Sequence, residues 1–385
     1  MKIDPPGFLA DPAVVRVMTA LPEVRIVGGA VRDSLAGRAV ADIDLATPML
    51  PADVAAALTK AGIRTVPTGL EHGTQTAVVN GRGFEVTTLR RDVATDGRRA
   101  TVAFTTDWRE DAARRDFTIN AMSMTRDGTV FDYFGGVDDL RAGVLRFVGD
   151  AATRVAEDYL RILRFFRFHA RYGAGAPDPD AIAAIRGGIA GLAQLSVERV
   201  WNELSGLLAV PDPGQAVRLM EEIGVLGAIL PEGAAASGLV RLLAVGAPVD
   251  PVLRLAALLT GDAAAVAVRL KLSGADRERL IALCQPSTVS AANDDAALRR
   301  ALADEVPDIL TGRAWLAGEA GLVARLGAIP RPVFALVGRD VVKLGVPAGP
   351  RVGNLLRDVR LWWKARGCVD NADACRAELR RLIGA

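Results

Sequence analysis

Two aspartates separated by one residue carry the strongest chemical signal in the sequence. Asp42 and Asp44 alternate with the apolar residues Ile43 and Leu45, which is the periodicity of a β-strand. Residues i and i+2 of a strand point to the same face, about 6 to 7 Å apart. Two such carboxylates can share a pair of Mg²⁺ ions, of which one lowers the pKa of an attacking hydroxyl and the other bridges a triphosphate. The pair alone is a weak signal, because acidic residues also cap helices and occupy exposed strands.

A glycine turn precedes the acidic pair. A β-branched run over residues 24–27 ends at Gly28 and Gly29, and a helical pattern follows over residues 30–35. Glycines allow backbone N–H groups to approach a phosphate, and a helix N-terminus adds a favourable partial charge. Arg32 can hold triphosphate oxygens with two parallel hydrogen bonds. A strand, a glycine turn and a helix followed by two acids form the order that a phosphoryl-transfer site needs.

Residues 28–47, GGAVRDSLAGRAVADIDLAT, resemble the signature of the class II CCA-adding enzyme (tRNA nucleotidyltransferase) and poly(A) polymerase family. The resemblance continues through most of the chain. It implies that Asp42 and Asp44 are catalytic metal ligands and that Gly29 and Arg32 contact the nucleotide. It also matches Glu85 to an acid near the site, either as a third carboxylate at the metal or as a structural neighbour.

Two further segments resemble motifs of the same family. Residues 114–121 resemble RRDFxxNA, which implies that Arg115 meets the incoming triphosphate while Asp116 and Asn120 brace the sheet. The interleaved apolar residues indicate partial burial, where idle charge is costly. Residues 90–99 are polar and contain glycine, so we predict a solvated loop; the resemblance implies a mobile loop that helps the change from C to A addition.

Residues 157–168 predict an amphipathic helix. Its polar face carries one acid and three arginines: Asp158, Arg161, Arg164 and Arg167. A solvated helix with ion pairs worth a few tenths of a kcal/mol would explain this pattern. We predict, however, that Phe165 and Phe168 flank the charged stripe, and aromatic rings there favour a flat or anionic ligand.

The resemblance gives this helix a role in choosing the base. Cytosine and adenine both present an amino donor beside a ring-nitrogen acceptor, whereas uracil and guanine present the opposite order. Asp158 would accept from the amino group and Arg161 would donate to the ring nitrogen. A wrong base would leave these buried groups unpaired, at a cost of about 1 to 3 kcal/mol for each. Arg164 and Arg167 would lie nearer the phosphates.

The C-terminal half offers weaker signals. Residues 196–204 resemble the next helix motif of the family, to which we assign a bracing role. Basic residues between positions 351 and 366 surround Trp362 and Trp363. They could follow tRNA phosphates or form a solvated basic helix over a buried tryptophan pair, and both interpretations stay open.

The pattern of elements predicts an α+β protein. β-rich runs over residues 74–79 and 84–89 flank Asn80-Gly81, a strong hairpin signal, and residues 130–134 predict one more strand. After residue 150 helical patterns dominate. Together with this pattern, the family resemblance implies an N-terminal nucleotidyltransferase domain of the polymerase β type, with a mixed sheet and helices, followed by an all-α neck, body and tail. The expected boundaries are a catalytic head over 1–145, a helical neck with the nucleotide-reading helix over 146–210, and a tRNA-binding body and tail over 211–385.

Composition narrows the classes of function. The 385 residues require at least two domains. Three cysteines without a CxxC pair argue against a disulfide framework or a zinc site, and the two histidines, His72 and His169, belong to no HD or HExxH motif. The net charge of +2 neither requires nor excludes nucleic acid. No apolar run is long enough to span a membrane, and the N-terminus is unlike a secretory signal, so we expect a cytoplasmic location.

These signals predict template-independent addition of C, C and A to the tRNA 3′ end from CTP and ATP, with Mg²⁺ as cofactor and release of pyrophosphate. We expect tRNA, CTP and ATP as binding partners, and neither a membrane nor a protein partner. A bacterial poly(A) polymerase shares nearly every motif and is the first alternative. A non-catalytic RNA-binding relative is the alternative of another class, and nucleotidyl transfer onto a protein is a third.

Overall fold

The computed structural model describes residues 1–95 and 100–384. The chain forms two compact units, Met1–Ile229 and Leu230–Ala385. The strands of the first unit are β1 (Arg25–Val27), β2 (Asp44–Thr47), β3 (Arg64–Gly69), β4 (Thr74–Val79), β5 (Arg82–Thr88), β6 (Arg90–Thr95), β7 (Ala100–Phe104), β8 (Ser123–Met124) and β9 (Val130–Phe131). The expected division of this unit into head and neck near residue 145, and the expected boundary at 210, stay predictions.

Seven strands of the first unit form one mixed sheet in the order β3-β4-β5-β2-β1-β8-β9. β2 and β5 run parallel, and the other neighbouring strands run antiparallel. The predicted hairpin between β4 and β5 is confirmed: Asn80 and Gly81 both have positive φ, at 53° and 78°, as a tight two-residue turn requires. The mixed sheet and the helices after it confirm the predicted α+β class.

Two predictions about the strands were wrong. β9 ends at Phe131, shorter than the expected 130–134. Residues 90–95 form β6, which pairs with β7 in a separate two-stranded sheet, whereas a loop was predicted for 90–99. A two-stranded ribbon can expose both faces, so it needs no apolar alternation to identify it. Residues 96–99 of the predicted loop lie outside the described residues.

Eleven helices accompany these strands in the described part of the first unit. They are α1 (Pro12–Ala20), α2 (Gly29–Leu35), α3 (Pro51–Lys60), α4 (Trp108–Ala113), α5 (Gly136–Ala142), α6 (Ala151–Glu157), α7 (Leu160–Tyr172), α8 (Pro179–Gly188), α9 (Val197–Leu208), α10 (Gly214–Glu222) and α11 (Val225–Ile229). Fully buried Val14 and Val17 of α1 and Leu58 of α3 share one hydrophobic cluster with Ile26 and Leu45 of the sheet. This cluster fixes the strands that carry the glycine turn and the acids.

An aromatic cluster attaches α7 to the segment around residue 117. The ring of Phe165 lies 6.3 Å from that of Phe117 and 6.0 Å from that of Phe147, and Phe168 lies 5.4 Å from Phe117. Phe165 is fully buried and Phe168 is 6 % exposed. The prediction that both rings flank a docking surface was therefore wrong for Phe165, which packs in the core. Phe168 lies beside the arginines: the guanidinium carbons of Arg164 and Arg167 lie 5.3 Å and 4.6 Å from the centre of its ring.

His169 provides a test of how α7 packs. Its ring stacks on Phe165 at 5.7 Å, and its buried Nδ1 has no hydrogen-bond partner among the residues that the structure describes. Burial lowers the pKa of His169, so below about pH 6.5 the unfolded chain binds a proton that the folded protein resists. We expect the free energy of unfolding to fall as the pH drops through this range, by at most about 1.4 kcal/mol per pH unit.

The measurement is the melting temperature of the wild type and of His169→Phe from pH 7.5 to 5.5. The melting temperature of His169→Phe should fall less over this pH range than that of the wild type. His72→Gln is the matched control, because the side chain of His72 is 46% exposed and its removal should leave the wild-type slope unchanged. Equal slopes for wild type and His169→Phe would contradict the prediction.

The second unit is helical throughout its described elements, apart from an isolated bridge between Ala234 and Leu259. Its helices are α12 (Ala236–Ala244), α13 (Pro251–Leu258), α14 (Ala263–Arg269), α15 (Gly274–Leu283), α16 (Asp295–Asp304), α17 (Pro307–Leu316), α18 (Ala320–Ala328), α19 (Gly338–Val342), α20 (Pro350–Ala365) and α21 (Ala372–Ile383). Across the described ranges, no helix is both long enough and apolar enough to pass through a bilayer.

The basic helix α20 is partly neutralised by acids of its own unit. Arg360 and Lys364 both pair with Asp304, and Trp363 is buried with its indole N–H bonded to the carbonyl of Asp370. These contacts match the interpretation of a solvated basic helix in part, because Trp363 is buried whereas Trp362, the other member of the predicted pair, is half-buried. Contact between the tail and tRNA stays a prediction.

Candidate active site

A cleft of about 330 Å³ in the first unit collects most of the predicted functional side chains. Seven of the ten predicted site residues line it: Gly29, Arg32, Asp44, Arg115, Asp158, Arg161 and Arg164. The remaining three, Asp42, Glu85 and Arg167, are outside the lining. Segments separated by more than a hundred residues in the chain therefore meet at one place.

The acidic side of the cleft is built by the centre of the sheet. Asp44 begins β2 and pairs with Val27 of β1. Glu85 lies on the parallel neighbour β5, one position before Val86, the partner of Leu45. Asp42 was predicted to share the strand with Asp44, but β2 begins only at Asp44, so Asp42 stands in the connection just before it. The three acids nevertheless form one electrostatic group.

The pKa of Asp44 reports on this group. Its side chain has solvent-accessible surface, yet the surrounding protein partly desolvates it, and this raises its pKa. The negative charge of Glu85 raises the pKa further, Arg115 opposes the shift, and Asp42 adds to it. In residues 1–95 and 100–384, no three Asp, Glu, His or Cys side chains are arranged as a ready-made metal site. The raised pKa of Asp44 nonetheless indicates that Arg115 does not fully offset burial and the negative charges of Glu85 and Asp42. Carboxylate oxygens of this kind suit a hard divalent cation.

The glycine turn lies against two guanidinium groups. Gly28 has φ 64° and precedes α2, a backbone conformation that glycine adopts without strain. A Cβ atom at Gly28 would lie 3.0 Å from Nη1 of Arg115, and one at Gly29 would lie 3.5 Å from Nη2 of Arg32. The turn therefore needs glycine at position 28 both for its backbone conformation and for the approach of Arg115.

Arg32 is buried at 7 % exposure and held from several directions. Its Nε donates to Oδ1 of Asp33 at 3.0 Å, and its Nη1 donates to Oδ1 of Asn120 at 2.6 Å. The guanidinium carbon lies 5.0 Å from the ring of Phe168 and 4.5 Å from that of Tyr172. Its position is therefore fixed before any ligand arrives.

Arg115 lies opposite the acids. Its Nη2 donates to Asp111 at 3.3 Å and its Nη1 to the carbonyl of Asn120 at 3.4 Å. Burial lowers the pKa of Arg115, although the charge of Asp111 opposes this shift. Long contacts and incomplete neutralisation leave Arg115 able to bind an anion. Asp111, on α4, was not identified from the sequence.

Asp116 was predicted to brace the sheet, and its side chain bonds instead to Arg164 of α7 and to Asn120. Burial disfavours its charge, but the guanidinium of Arg164 and hydrogen bonds from Asn120 and Arg164 outweigh that effect and lower its pKa. Nε of Arg164 donates to Asp116 at 2.8 Å. Arg167 instead donates to Glu203 of α9 at 2.6 Å, so the geometry supports a structural role for it. The motif over 196–204 braces α7 through Glu203.

The predicted base-reading pair differs in detail from the expectation. Asp158 lies in the extended connection between α6 and α7, whereas the sequence placed it on the helical stripe. Its Oδ2 accepts from Nη2 of Arg199 at 2.6 Å. Arg161, on the first turn of α7, donates to Oε2 of Glu157 at 2.5 Å. Each of the two side chains thus has a protein partner where the sequence analysis assigned it a group of the base. Both side chains still line the cleft.

Besides Asp111, sequence reasoning missed two further contributors, Arg199 and Tyr172. Arg199 and Glu203 are four residues apart on α9 and both contact the region of α7, a spacing that could have suggested one shared face. No pattern near Tyr172 pointed to its contact with Asp33 of α2.

Comparison with known proteins matches two family models to the chain. One describes the poly(A) polymerase head domain and covers residues 24–146, and the other describes a probable RNA and SrmB binding site of polymerase A and covers residues 176–237. A CCA tRNA nucleotidyltransferase from Danio rerio, described as mitochondrial, is 39% identical over 363 residues, which are 89% of this chain and 83% of the relative. Its counterpart from Homo sapiens is 39% identical over 365 residues, 90% and 83% of the two chains.

A solved structure gives the same result at the level of the fold. The crystal structure of the Bacillus stearothermophilus CCA-adding enzyme in complex with CTP is similar with a TM-score of 0.74 and 28% identity. The similarity covers 97% of this chain and 98% of that one.

Proposed function

The chain belongs to the CCA tRNA nucleotidyltransferase family, and from this premise we propose that it adds C, C and A to the tRNA 3′ end with Asp42 and Asp44 as catalytic residues. CTP and ATP are the nucleotide donors, and each addition releases pyrophosphate. The observation that carries the residue assignment is the cleft in which Asp44, Arg115 and Arg161 meet beside the glycine turn.

Mg²⁺ is the cofactor that this acidic group would hold. Asp42 and Asp44 are its proposed ligands, with Glu85 as a third carboxylate close enough to raise the pKa of Asp44. When bound, the metal supplies activation of the 3′-hydroxyl and charge stabilisation at the triphosphate. The raised pKa supports this assignment, because a divalent cation relieves the mutual repulsion of the acids.

The basic side of the cleft positions the nucleotide. Arg32 and Arg115 flank the glycine turn and bind triphosphate oxygens, and Gly29 allows those oxygens to approach the backbone. Arg164 stabilises Asp116 and supports this side from α7. The tRNA 3′-oxygen then bonds to the α-phosphorus while the bond to the departing pyrophosphate breaks. The chain contributes mainly by positioning and electrostatic stabilisation.

Asp158 and Arg161 select the base at the other end of the cleft. The carboxylate accepts from the amino group that cytosine and adenine share, and the guanidinium donates to the neighbouring ring nitrogen. To do so, Asp158 must share or release Arg199, and Arg161 must share or release Glu157. A protein that only binds RNA, or one that modifies a protein, would have no use for this selective pair.

An addition assay with purified protein tests the proposal. With tRNA lacking its CCA end and Mg²⁺, CTP alone should add two residues, and CTP with ATP should add three and then stop. A chelator should abolish addition, and Mg²⁺ should restore it. Continued growth of an adenosine tail would instead identify a poly(A) polymerase, and no addition at all would leave an RNA-binding relative.

We also propose the expected cytoplasmic location, which cell fractionation tests.

A further inference from the structure

We infer that Tyr172, outside every motif identified in the sequence, is a positioning residue that holds Arg32 for the nucleotide triphosphate. It stands on the last turn of α7, and its hydroxyl donates to Oδ1 of Asp33 at 2.5 Å. The same oxygen accepts from Nε of Arg32 at 3.0 Å. The inference rests on the proposed role of Arg32 as a nucleotide contact.

The ring of Tyr172 supports the same guanidinium from its face. The carbon of the Arg32 guanidinium lies 4.5 Å from the centre of this ring, within the range of a cation–π contact. Phe168 provides a second ring at 5.0 Å. Tyr172 therefore restrains Arg32 twice, through the ring directly and through the hydroxyl by way of Asp33.

The hydroxyl has an electrostatic effect on the charge available to a ligand. Without it, Oδ1 of Asp33 would direct its full charge at Arg32, and the buried ion pair would compete with a phosphate. The Tyr172 hydroxyl is a second donor to that oxygen. It weakens the competition of Asp33 with a phosphate for Arg32, because the carboxylate is then shared between two donors. Burial and the hydrogen bond to Asp33 raise the pKa of Tyr172, so the hydroxyl remains a donor throughout the neutral pH range.

The contacts also close a ring that begins and ends on α7. From Asp33 the ring passes through Arg32 to Asn120, whose Nδ2 donates to Asp116 at 2.9 Å. Asp116 then accepts from Arg164, back on α7, at 2.8 Å. The triphosphate contact and the helix that carries Arg161 are thereby held in one hydrogen-bonded arrangement, with Tyr172 as its C-terminal member on α7.

Binding and kinetic measurements on three single variants and one double variant test this role. For Tyr172→Phe, which keeps the ring, we expect the Kd for CTP with Mg²⁺ and the KM for both CTP and ATP to rise roughly 3- to 10-fold, as for the removal of one hydrogen bond. We expect kcat to stay within about twofold. Tyr172→Leu should show a larger rise, because this change removes the cation–π interaction as well. Arg32→Ala, alone and combined with Tyr172→Phe, completes a double-mutant cycle.

Tyr133→Phe is the matched control. The hydroxyl of Tyr133 contacts Arg25 at 3.3 Å, away from the cleft lining, so its removal should leave CTP binding unchanged. Inhibition by inorganic tripolyphosphate should weaken in parallel with CTP binding in Tyr172→Phe, since the effect concerns phosphates and not the base. Preference for CTP and ATP over UTP and GTP should remain as in the wild type.

Two results with Tyr172→Phe overturn the inference directly. One is wild-type CTP binding by Tyr172→Phe, and the other is an effect of Tyr172→Phe that persists undiminished when Arg32 is already alanine. If Arg32→Ala itself binds CTP normally, the role proposed for Arg32 fails and the inference fails with it. If the wild type binds CTP but adds nothing to tRNA, the proposed function fails, and the binding data still decide the role of Tyr172.

Discussion

Replacing Asp42 or Asp44 by asparagine is expected to lower the rate constant of nucleotide addition by about a thousandfold. Asparagine keeps the shape of the side chain but removes the charge that holds the cation. The stabilisation removed from the transition state is several kcal/mol, and about 1.4 kcal/mol corresponds to a factor of ten. Single-turnover extension of tRNA lacking its CCA end, at saturating CTP and Mg²⁺, measures this constant directly.

Stability measurements separate this effect from unfolding. The pKa of Asp44 is raised by desolvation and by Glu85, so its ionised form costs the folded protein free energy at neutral pH. We therefore expect Asp44→Asn to melt at the wild-type temperature or above it. Asp138→Asn is the matched control, because this acid of α5 is 87% exposed and outside the cleft lining. Activity of either aspartate variant, Asp42→Asn or Asp44→Asn, within tenfold of the wild type would refute the two-aspartate mechanism.

The second large effect concerns the choice of base. For Asp158→Ala and Arg161→Ala we expect kcat/KM with CTP and ATP to fall by roughly 10- to 200-fold each, which corresponds to about 1 to 3 kcal/mol for each hydrogen bond to the base. The preference for CTP and ATP over UTP and GTP should narrow, because uracil and guanine no longer leave the removed side chain unpaired. Incorporation of each nucleotide, alone and in competition, on tRNA ending at the position before the addition measures both quantities.

A control for the base-reading variants comes from a charge outside the cleft lining. Arg186→Ala removes an exposed arginine of α8 and should leave both kcat/KM and base preference unaltered. Full retention of C and A selectivity in Asp158→Ala and in Arg161→Ala would show that another part of the cleft reads the base.

Much of the site could be predicted because its signals are local. The run before Gly28, the turn itself and Arg32 lie within a few residues, and so do Asp42 and Asp44. The hairpin at Asn80-Gly81 was equally predictable, since both residues tolerate positive φ. Local backbone requirements restrict the residue types directly, so one sequence suffices to detect them.

The wrong or missing predictions concern features that are determined by contacts between distant parts of the chain. β3 was missed because it contains Pro67; proline cannot donate to a ladder, but β3 lies at the edge of the sheet, where proline is tolerated. Helical spacing placed Phe165 near the charged stripe, yet Phe117 and Phe147 cover it. The pairing of Asp158 with Arg199 joins the extended connection before α7 to α9 across 41 positions of the chain, and no local pattern encodes such a contact.

The partners of Asp158 and Arg161 in the resting protein have a thermodynamic consequence for fidelity. Because Arg199 and Glu157 already balance their charges, cytosine or adenine exchanges one set of polar contacts for another of similar strength. Little net affinity accrues from the match, whereas uracil or guanine would displace the same partners without offering the donor and the acceptor that replace them. Selectivity then comes from the free-energy cost of binding a wrong base. A correct base is bound only weakly by this pair, so it does not slow the next addition.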